Sequence, residues 1–420
     1  MAQKSKQWAA IIMMIALFAM IAFVTNLCSP MATIVKNQFG ASELAGQIGN
    51  YANFIAYLVM GIPSGMLIAK LGYKKTALLA LIVGIVGIVF EYLSGVVGSY
   101  VIYLVGAFIS GLCMCMLNTV VNPLLNVLGG GGKTGNQLIQ IGGAANSAAA
   151  VAVYILMGAL IGEVTKSTGI SDATPALIIA GVIFVIAFVI LLFTKIEEPE
   201  QAKVELSLIT GALKFRQLSL GALAIFLYMS VEVGTPTYMI SYLQTPEVGL
   251  SAGVAGLIAS VYWLMMFVGR SIGGSIGGKV SSRAMVSTVA TAAIALLLFG
   301  IFAPETMKVT VIGIDWGNLE VIYPQVPVCV LAFILVGLCT SVMWGGIFNM
   351  AVEGLGQYTA AASGIFMTMV FGCAVMVGLQ AWVADIVGYL YSYFIPVACA
   401  GYILFYALVG SKVKKVDTPE

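Results

Sequence analysis

Residues 221–243 (GALAIFLYMSVEVGTPTYMISYL) form an apolar run long enough to cross a bilayer, and one carboxylate, Glu232, sits at its centre. A charge at mid-depth costs about 2.5–3.5 kcal/mol on insertion scales, so it persists where it faces other helices or water. There it can carry a proton or accept from a hydroxyl. Pro236, four residues on, removes a backbone donor and loosens the helix beside the acid. The other polar side chains expected at this depth are mostly amides: Asn26 in the first span, Asn118 and Asn122 in the fourth, Gln140 and Asn146 in the fifth, Gln380 in the eleventh. Asn118 and Asn122 are four apart and stack on one helix face. Tyr238, Tyr262, Trp263 and Trp344 accompany them. Singly, each amide or hydroxyl reads as glue between helices. As a set they read as a polyol site, with amides for hydroxyls and aromatic faces for the C–H side of a ring. No Lys or Arg is expected at mid-depth, which argues against a charged substrate. A greasy ligand needs fewer amides.

Such residues need a membrane scaffold, and the composition supplies one. The chain of 420 residues is 61% hydrophobic and 9% charged, with mean hydropathy +1.06, where soluble domains carry about 25% charged residues. The net charge of +2 forms no basic face and implies no nucleic-acid partner. Histidine is absent, which removes the usual metal ligand and proton carrier. The seven cysteines fall in apolar spans, and Cys113 and Cys115 point to different helix faces, so they read as packing residues rather than metal ligands. No nucleophile–base pair is found, so no enzyme, cofactor or metal site is expected.

Twelve spans are expected near 10–35, 46–70, 76–97, 100–127, 138–162, 175–194, 219–243, 251–275, 284–303, 325–349, 359–384 and 389–410. The first is longer than a signal h-region, and Leu27 stands before Cys28 where a lipoprotein signal needs a small residue, so it is expected to remain a span. With the N-terminus placed inside, the inner segments hold 16 of the 19 basic residues and the outer ones 3. A multi-pass protein of the cell inner membrane with both termini cytoplasmic is therefore expected.

The chain repeats at half its length. Gly65, Ala69, Lys70 and Lys74 follow the second span, and Gly274, Gly278, Lys279 and Arg283 follow the eighth at the same spacing. The bases are expected to anchor the inner rim and pair with helix C-termini. Three regions follow: an N-terminal six-helix bundle (1–194), a charged cytoplasmic linker (195–217) and a C-terminal six-helix bundle (218–420). The fold class is an all-α membrane protein of twelve transmembrane helices in two pseudo-symmetric six-helix bundles, which suits a transporter rocking about a central site. Residues 307–324 alternate around Trp316 and leave a β-hairpin or an irregular loop open. Residues 129–134 (GGGGKT) lack the leading glycine of a phosphate loop, because Val127 stands there, and read as a hinge. Glu91, near the outer end of the third span, reads as a rim carboxylate.

Residues 341–374 (SVMWGGIFNMAVEGLGQYTAAASGIFMTMVFGCA) follow the pattern S-I-M-F-P-x-I-F, then G-L-G-x-Y-T-x-x-A-S and G-G-A. Residues 226–243 follow F-x-Y-V-G-A-E-V with Glu232 on the acid, 118–129 follow E-T-A-A-N-P-x-x-x-x-L-G, and 65–75 follow a degenerate G-x-x-x-D-R-x-G-R-K with Ala69 in the acid's place. On these stretches nearly the whole chain resembles the major facilitator superfamily, in its fucose/glucose–galactose branch of sugar:proton symporters. The resemblance implies the major facilitator fold and a sugar substrate. It places Asn26 and Asn146 on sugar-binding amides and Gly143 on a glutamine. It puts Ser29 and Asn118 where the branch has an aspartate and a glutamate tied to proton and sugar handling.

The expectation is an importer of a small neutral sugar, a hexose such as glucose, galactose, mannose or fucose, working by alternating access. Asn26, Asn118, Asn122, Gln140, Asn146 and Gln380 would bind hydroxyls, Tyr262 and Trp263 would pack the ring, and Tyr238 or Trp344 would close the site. Coupling stays open between a proton on Glu232, a sodium ion, and none. A polyspecific exporter and a non-transporting receptor are the rival readings. Beyond the sugar and the lipid bilayer no partner is required, and twelve spans suffice for a monomer.

Overall fold

A computed structural model describes residues 7–40, 43–129, 132–161, 167–198, 206–276, 280–318, 320–355 and 358–413. Among these, eleven helices are long and apolar enough to span a bilayer. They are α1 (Trp8–Phe39), the long run Glu43–Val97, α4 (Tyr100–Leu128), α5 (Gly132–Ile161), α6 (Thr174–Phe193), α7 (Arg216–Leu243), α8 (Ala252–Ile276), α9 (Ser282–Phe302), α10 (Cys329–Val352), α11 (Ala361–Val387) and α12 (Tyr389–Gly410). The long run is two spans. Gly72 breaks it with φ 82°, a left-handed conformation that suits glycine, giving α2 before it and α3 after it. The result is twelve spans in two six-helix bundles, as the hydropathy pattern predicts.

The half-chain repeat has a physical counterpart. Lys74 Nζ donates to the carbonyls of Leu192 (3.0 Å) and Thr194 (2.8 Å) at the end of α6. Arg283, the matching base, donates from Nε to Ser411 Oγ (3.3 Å) and from Nη2 to Ser411 O (3.5 Å) just past α12. Each base thus meets the orphan carbonyls and negative dipole end of its own bundle's last helix. At the start of α3 the Glu198 carboxylate accepts from the backbone N–H groups of Tyr73 (2.8 Å) and Lys74 (2.9 Å), an anion at a helix N-terminus. Residues 130–131 of the expected hinge, 199–205 of the expected linker and Gly278 and Lys279 of the repeat lie outside the described residues, as does the side chain of Ser29.

Between α9 and α10 the alternating segment is a hairpin. Strands β1 (Lys308–Thr310) and β4 (Gln325–Pro327) pair antiparallel, as do β2 (Gly313–Asp315) and β3 (Glu320–Ile322). It stands on the face away from the N-terminus, here called the far face.

One expectation fails inside the first bundle. Glu91 is not on the rim: it is 6% exposed, and Ser110 Oγ on α4 donates to its Oε1 at 2.9 Å. Gly106 makes this possible, since a Cβ there would lie 2.8 Å from Glu91 Cγ. The glycine lets α3 and α4 close over the carboxyl, so it cannot snorkel outward. The seven cysteines are all free and buried, which fits packing.

Candidate functional site

The arrangement of the site starts from a defect in α7. Between Ser230 and Gly234 the helix widens into a π-turn, and a regular helix resumes at Thr235. Pro236 accounts for this: it offers no N–H, and its ring clashes with the carbonyl one turn back. Carbonyls left without intrahelical donors must be satisfied within the bundle. The Tyr262 hydroxyl donates to Val231 O (3.2 Å) inside the widened turn, and Thr237 Oγ1 and the Tyr393 hydroxyl add bonds to Val233 O (2.7 Å) and Thr235 O (2.8 Å) beside it. The widened turn carries Glu232 into a cavity of about 130 Å³ between the two bundles.

Side chains from both bundles line this cavity. Asn26 from α1, Asn118 and Asn122 from α4 and Asn146 from α5 face Glu232, Trp263 and Trp344 of the second bundle. Each amide is fixed by one N–H. Asn26 donates to Ala22 O (2.9 Å), Asn118 to the Tyr57 hydroxyl (2.9 Å), Asn122 to Asn118 O (3.0 Å) and Asn146 to Phe18 O (2.9 Å). The carboxamide oxygens of Asn26, Asn118 and Asn122 have no protein partner among the described residues. Thr25 Oγ1 and Trp263 Nε1, contributed to the same cavity by opposite bundles, are buried without one among those residues. An unpaired buried donor costs about 1–3 kcal/mol, which a ligand hydroxyl would relieve. The Tyr262 ring meets Trp263 edge-on at 5.4 Å, and Trp344 stands 6.0 Å from Tyr228, so both indoles are held by aromatic neighbours.

Arg270 of α8 also lines the cavity, contrary to the expectation of no cation at this depth. Its Nη2 lies 3.7 Å from Glu232 Oε1, with the two side chains 11% and 14% exposed. Its Nη1 donates across the bundle interface to Gly143 O (2.6 Å) and Ser147 Oγ (2.8 Å), and more weakly to Asn146 Oδ1 (3.4 Å). Gly143 makes room for it: a Cβ there would sit 3.2 Å from Arg270 Cδ. The pair is internally neutral, and the guanidinium is already occupied by protein acceptors. Arg270 lies six residues from the end of α8, a position from which a long base can also reach the inner rim; the space left by Gly143 on the facing helix lets it turn inward.

Of the ten residues expected to bind substrate, six line the cavity: Asn26, Asn118, Asn122, Asn146, Trp263 and Trp344. Four do not. Tyr262 lies beneath Trp263 and serves the π-turn, with its hydroxyl also 3.0 Å from Thr340 Oγ1. Tyr238 donates to Val377 O at 2.8 Å on α11 and stands 3.5 Å from the Tyr51 hydroxyl, between the bundles on the far side. Gln380 is fully buried behind α7, where a Cβ on Gly234 would lie 2.5 Å from its Oε1; its Nε2 reaches Ser392 Oγ at 3.4 Å. Gln140 lies against Gly274 and Gly345, between α5 and the second bundle near the N-terminal face. In each case a polar group answers the protein's own backbone or fills a helix crossing. Phe18, Tyr57 and Thr25 line the cavity and were not singled out from sequence.

Comparison with known proteins agrees with this architecture. The family model described as Major Facilitator Superfamily matches residues 13–379. The chain is 26% identical over 403 residues to the glucose/galactose transporter of Brucella abortus (strain 9-941), covering 94% of this chain and 92% of that protein. It is 26% identical over 427 residues to the putative glucose/galactose transporter of Helicobacter pylori (strain J99 / ATCC 700824), covering 98% of each. The L-fucose-proton symporter of Escherichia coli (strain K12) is 22% identical over 424 residues, with 94% of this chain and 92% of that one covered. Among solved structures, the E. coli fucose:proton symporter superposes with TM-score 0.74 at 20% identity, covering 96% of this chain and 98% of that one. The D-xylose-proton symporter superposes with TM-score 0.72 at 13% identity, covering 98% of this chain and all of that one. With its twelve spans, its central cavity between two bundles and a family match over most of its length, the chain is a transporter rather than an enzyme and belongs to the Major Facilitator Superfamily.

Proposed function

We propose that the protein imports a small neutral sugar, a hexose of the glucose, galactose, mannose or fucose type, by alternating access and in symport with a proton. One observation carries the reading. The only described acid of the central cavity is already paired with its only described base, while the same space is lined by two tryptophans and by three asparagines whose carboxamide oxygens have no protein partner among the described residues. A neutral polyol fits that inventory, since it needs hydroxyl partners and a ring surface and brings no charge. The printed names of the relatives, glucose/galactose transporter and L-fucose-proton symporter, point the same way.

Glu232 is the coupling carboxylate in this reading, and Arg270 is its counter-charge. A proton on Glu232 ends the ion pair, and Arg270 then answers only to Gly143, Ser147 and Asn146 on α5. The protonation state of the second bundle is thereby tied to its grip on the first. Regions 1–194 and 218–420 are the two moving bodies and 195–217 the linker. The basic residues orient both termini to the cytoplasm of the cell inner membrane, and a monomer suffices.

Uptake of a labelled hexose panel into proteoliposomes, under an imposed proton gradient, a sodium gradient or neither, tests this. Accumulation of at least one hexose that follows the proton gradient is expected. Accumulation following sodium, or equilibration alone, rejects proton coupling, and a panel in which nothing moves rejects the sugar reading.

A further inference from the structure

The far end of the interface between α5 and α8 is filled by a side chain from neither helix. Trp316 stands at the tip of the β2–β3 hairpin, and its indole lies between Gly158 of α5 and Gly253 of α8. A Cβ on Gly158 would fall on Trp316 Cε2, and one on Gly253 would lie 2.5 Å from Cδ1. Glycine is therefore required on both bundles for the ring to enter. The rest of the hairpin belongs to the second bundle: it joins α9 to α10, and a Cβ on Gly313 in β2 would meet Val254 of α8 at 3.1 Å. The tip is stiff. Asp315 Oδ1 accepts from the N–H groups of Gly317 (2.9 Å) and Asn318 (3.4 Å), and its Oδ2 accepts from Asn318 Nδ2 (2.9 Å). This turn fixes the residue between them, Trp316, at a set angle to the strands.

We propose that Trp316 is a gating residue for transport: a wedge carried by the second bundle that holds the far-face end of the α5–α8 interface shut, and that must leave Gly158 before the cavity opens to that side. Below it lies a cleft of about 50 Å³ lined by Thr33 of α1, Tyr154 and Met157 of α5 and Ile240 of α7, so the ring sits over a gap between bundles rather than within one. The wedge is built to release. Trp316 Nε1 is buried there with no partner among the described residues, although the residue as a whole is only partly buried. Opening admits water to that N–H, and the gained hydrogen bond offsets part of the lost packing. The contact is thus a reversible stop rather than a permanent join.

The inference rests on alternating access but not on any particular sugar, and it is tested without substrate. Thr33→Cys reports the far-face cleft and Gln140→Cys the near end of the same interface; the seven native cysteines are buried and give a low background. Purified protein in nanodiscs is labelled with a hydrophilic maleimide. Trp316→Ala is expected to speed labelling of Thr33→Cys about tenfold, equivalent to a shift of ~1.4 kcal/mol, and to slow that of Gln140→Cys. Gly158→Ala, which leaves the hairpin sequence intact, is expected to do the same, and Trp316→Phe to stay near the parent rate. Unchanged rates in both Trp316→Ala and Gly158→Ala overturn the proposal. So does a rise at both reporters together, which would mean general loosening. Labelling as expected with no hexose transported in proteoliposomes would leave the wedge standing and remove the sugar reading, and the reverse pattern would remove the wedge alone.

Discussion

Glu232→Gln separates the ion pair from everything else the residue does. Glutamine keeps the shape and an oxygen toward the cavity and removes the charge. The lost attraction can be bounded from the 3.7 Å separation: about 4.5 kcal/mol at an effective dielectric of ~20, and about 1 in water. Arg270 keeps its bonds to Gly143 O and Ser147 Oγ, so the interface should survive. Coupling should not. With one proton per sugar, a gradient of one pH unit supports about tenfold accumulation. Proteoliposomes carrying the parent should approach that ratio, and those carrying Glu232→Gln should stop near equality while still exchanging sugar across the membrane. Arg270→Met makes the complementary lesion, stranding the carboxylate and the α5 acceptors together, and breaking a buried pair from one side costs about 3–5 kcal/mol. In thermal unfolding the double variant should therefore recover part of the loss of Arg270→Met. Sustained accumulation by Glu232→Gln refutes the coupling role. Additivity of the two lesions to within ~0.5 kcal/mol refutes the pair itself.

Asn118→Ala removes a carboxamide oxygen from the cavity and the bond to Tyr57; a three- to tenfold weaker sugar affinity by equilibrium binding is expected, roughly one hydrogen bond. Glu91→Gln keeps an acceptor for Ser110, and because Glu91 lies between α3 and α4 rather than in the cavity, accumulation should stay within about twofold of the parent; an uncoupled Glu91→Gln would move the proton site into the first bundle. The Asp315 carboxyl is held below its ordinary range, first by the Asn318 side chain and then by the Gly317 N–H. A lowered value means its contribution to the hairpin turn is complete above the ordinary pKa near ~3.9 and is lost as pH falls through the lower folded value. The difference in emission between the parent and Trp316→Phe should accordingly be flat from neutral pH to about 5; a transition between pH 5 and 7 would reject that account of the turn.

The span pattern and the half-chain repeat were legible because each rests on a period or spacing that lipid enforces; the hairpin lies outside the spans, and its alternation left strands and an irregular loop equally open. The acid at the cavity was legible for a related reason: Glu232 is too costly at mid-depth to be idle. The polar residues around it were harder to sort, since a sequence shows that a side chain needs a partner but not which one. Tyr262 answers the carbonyl of Val231, a demand created by Pro236. Pro236 was visible in the sequence, but the direction from which a donor would come was not. Arg270 was misplaced for the same kind of reason. A long base about 9 Å from a helix end, six residues at 1.5 Å each, can run outward to the rim or inward to a carboxylate. The choice is made by Gly143 on another helix.

Gly143 and Gly158 tie these points together. They lie fifteen residues apart on α5, about 22 Å along its axis, and each gives way to a side chain from the second bundle: Arg270 at one level, Trp316 at the other. The two contacts differ in kind. The guanidinium contact is charged, lines the central cavity and, on the proposed coupling, changes with the state of Glu232. The indole contact is apolar, lies at the far face and has no link to a titrating group in the cavity. A rocking motion that parts α5 from α8 at the far face must break the indole contact and can pivot on the guanidinium; parting them at the near face reverses the roles. Each glycine is then a bearing for one half of the cycle. Enlarging Gly143 should impair coupling, whereas enlarging Gly158 should shift the resting orientation and leave coupling in place.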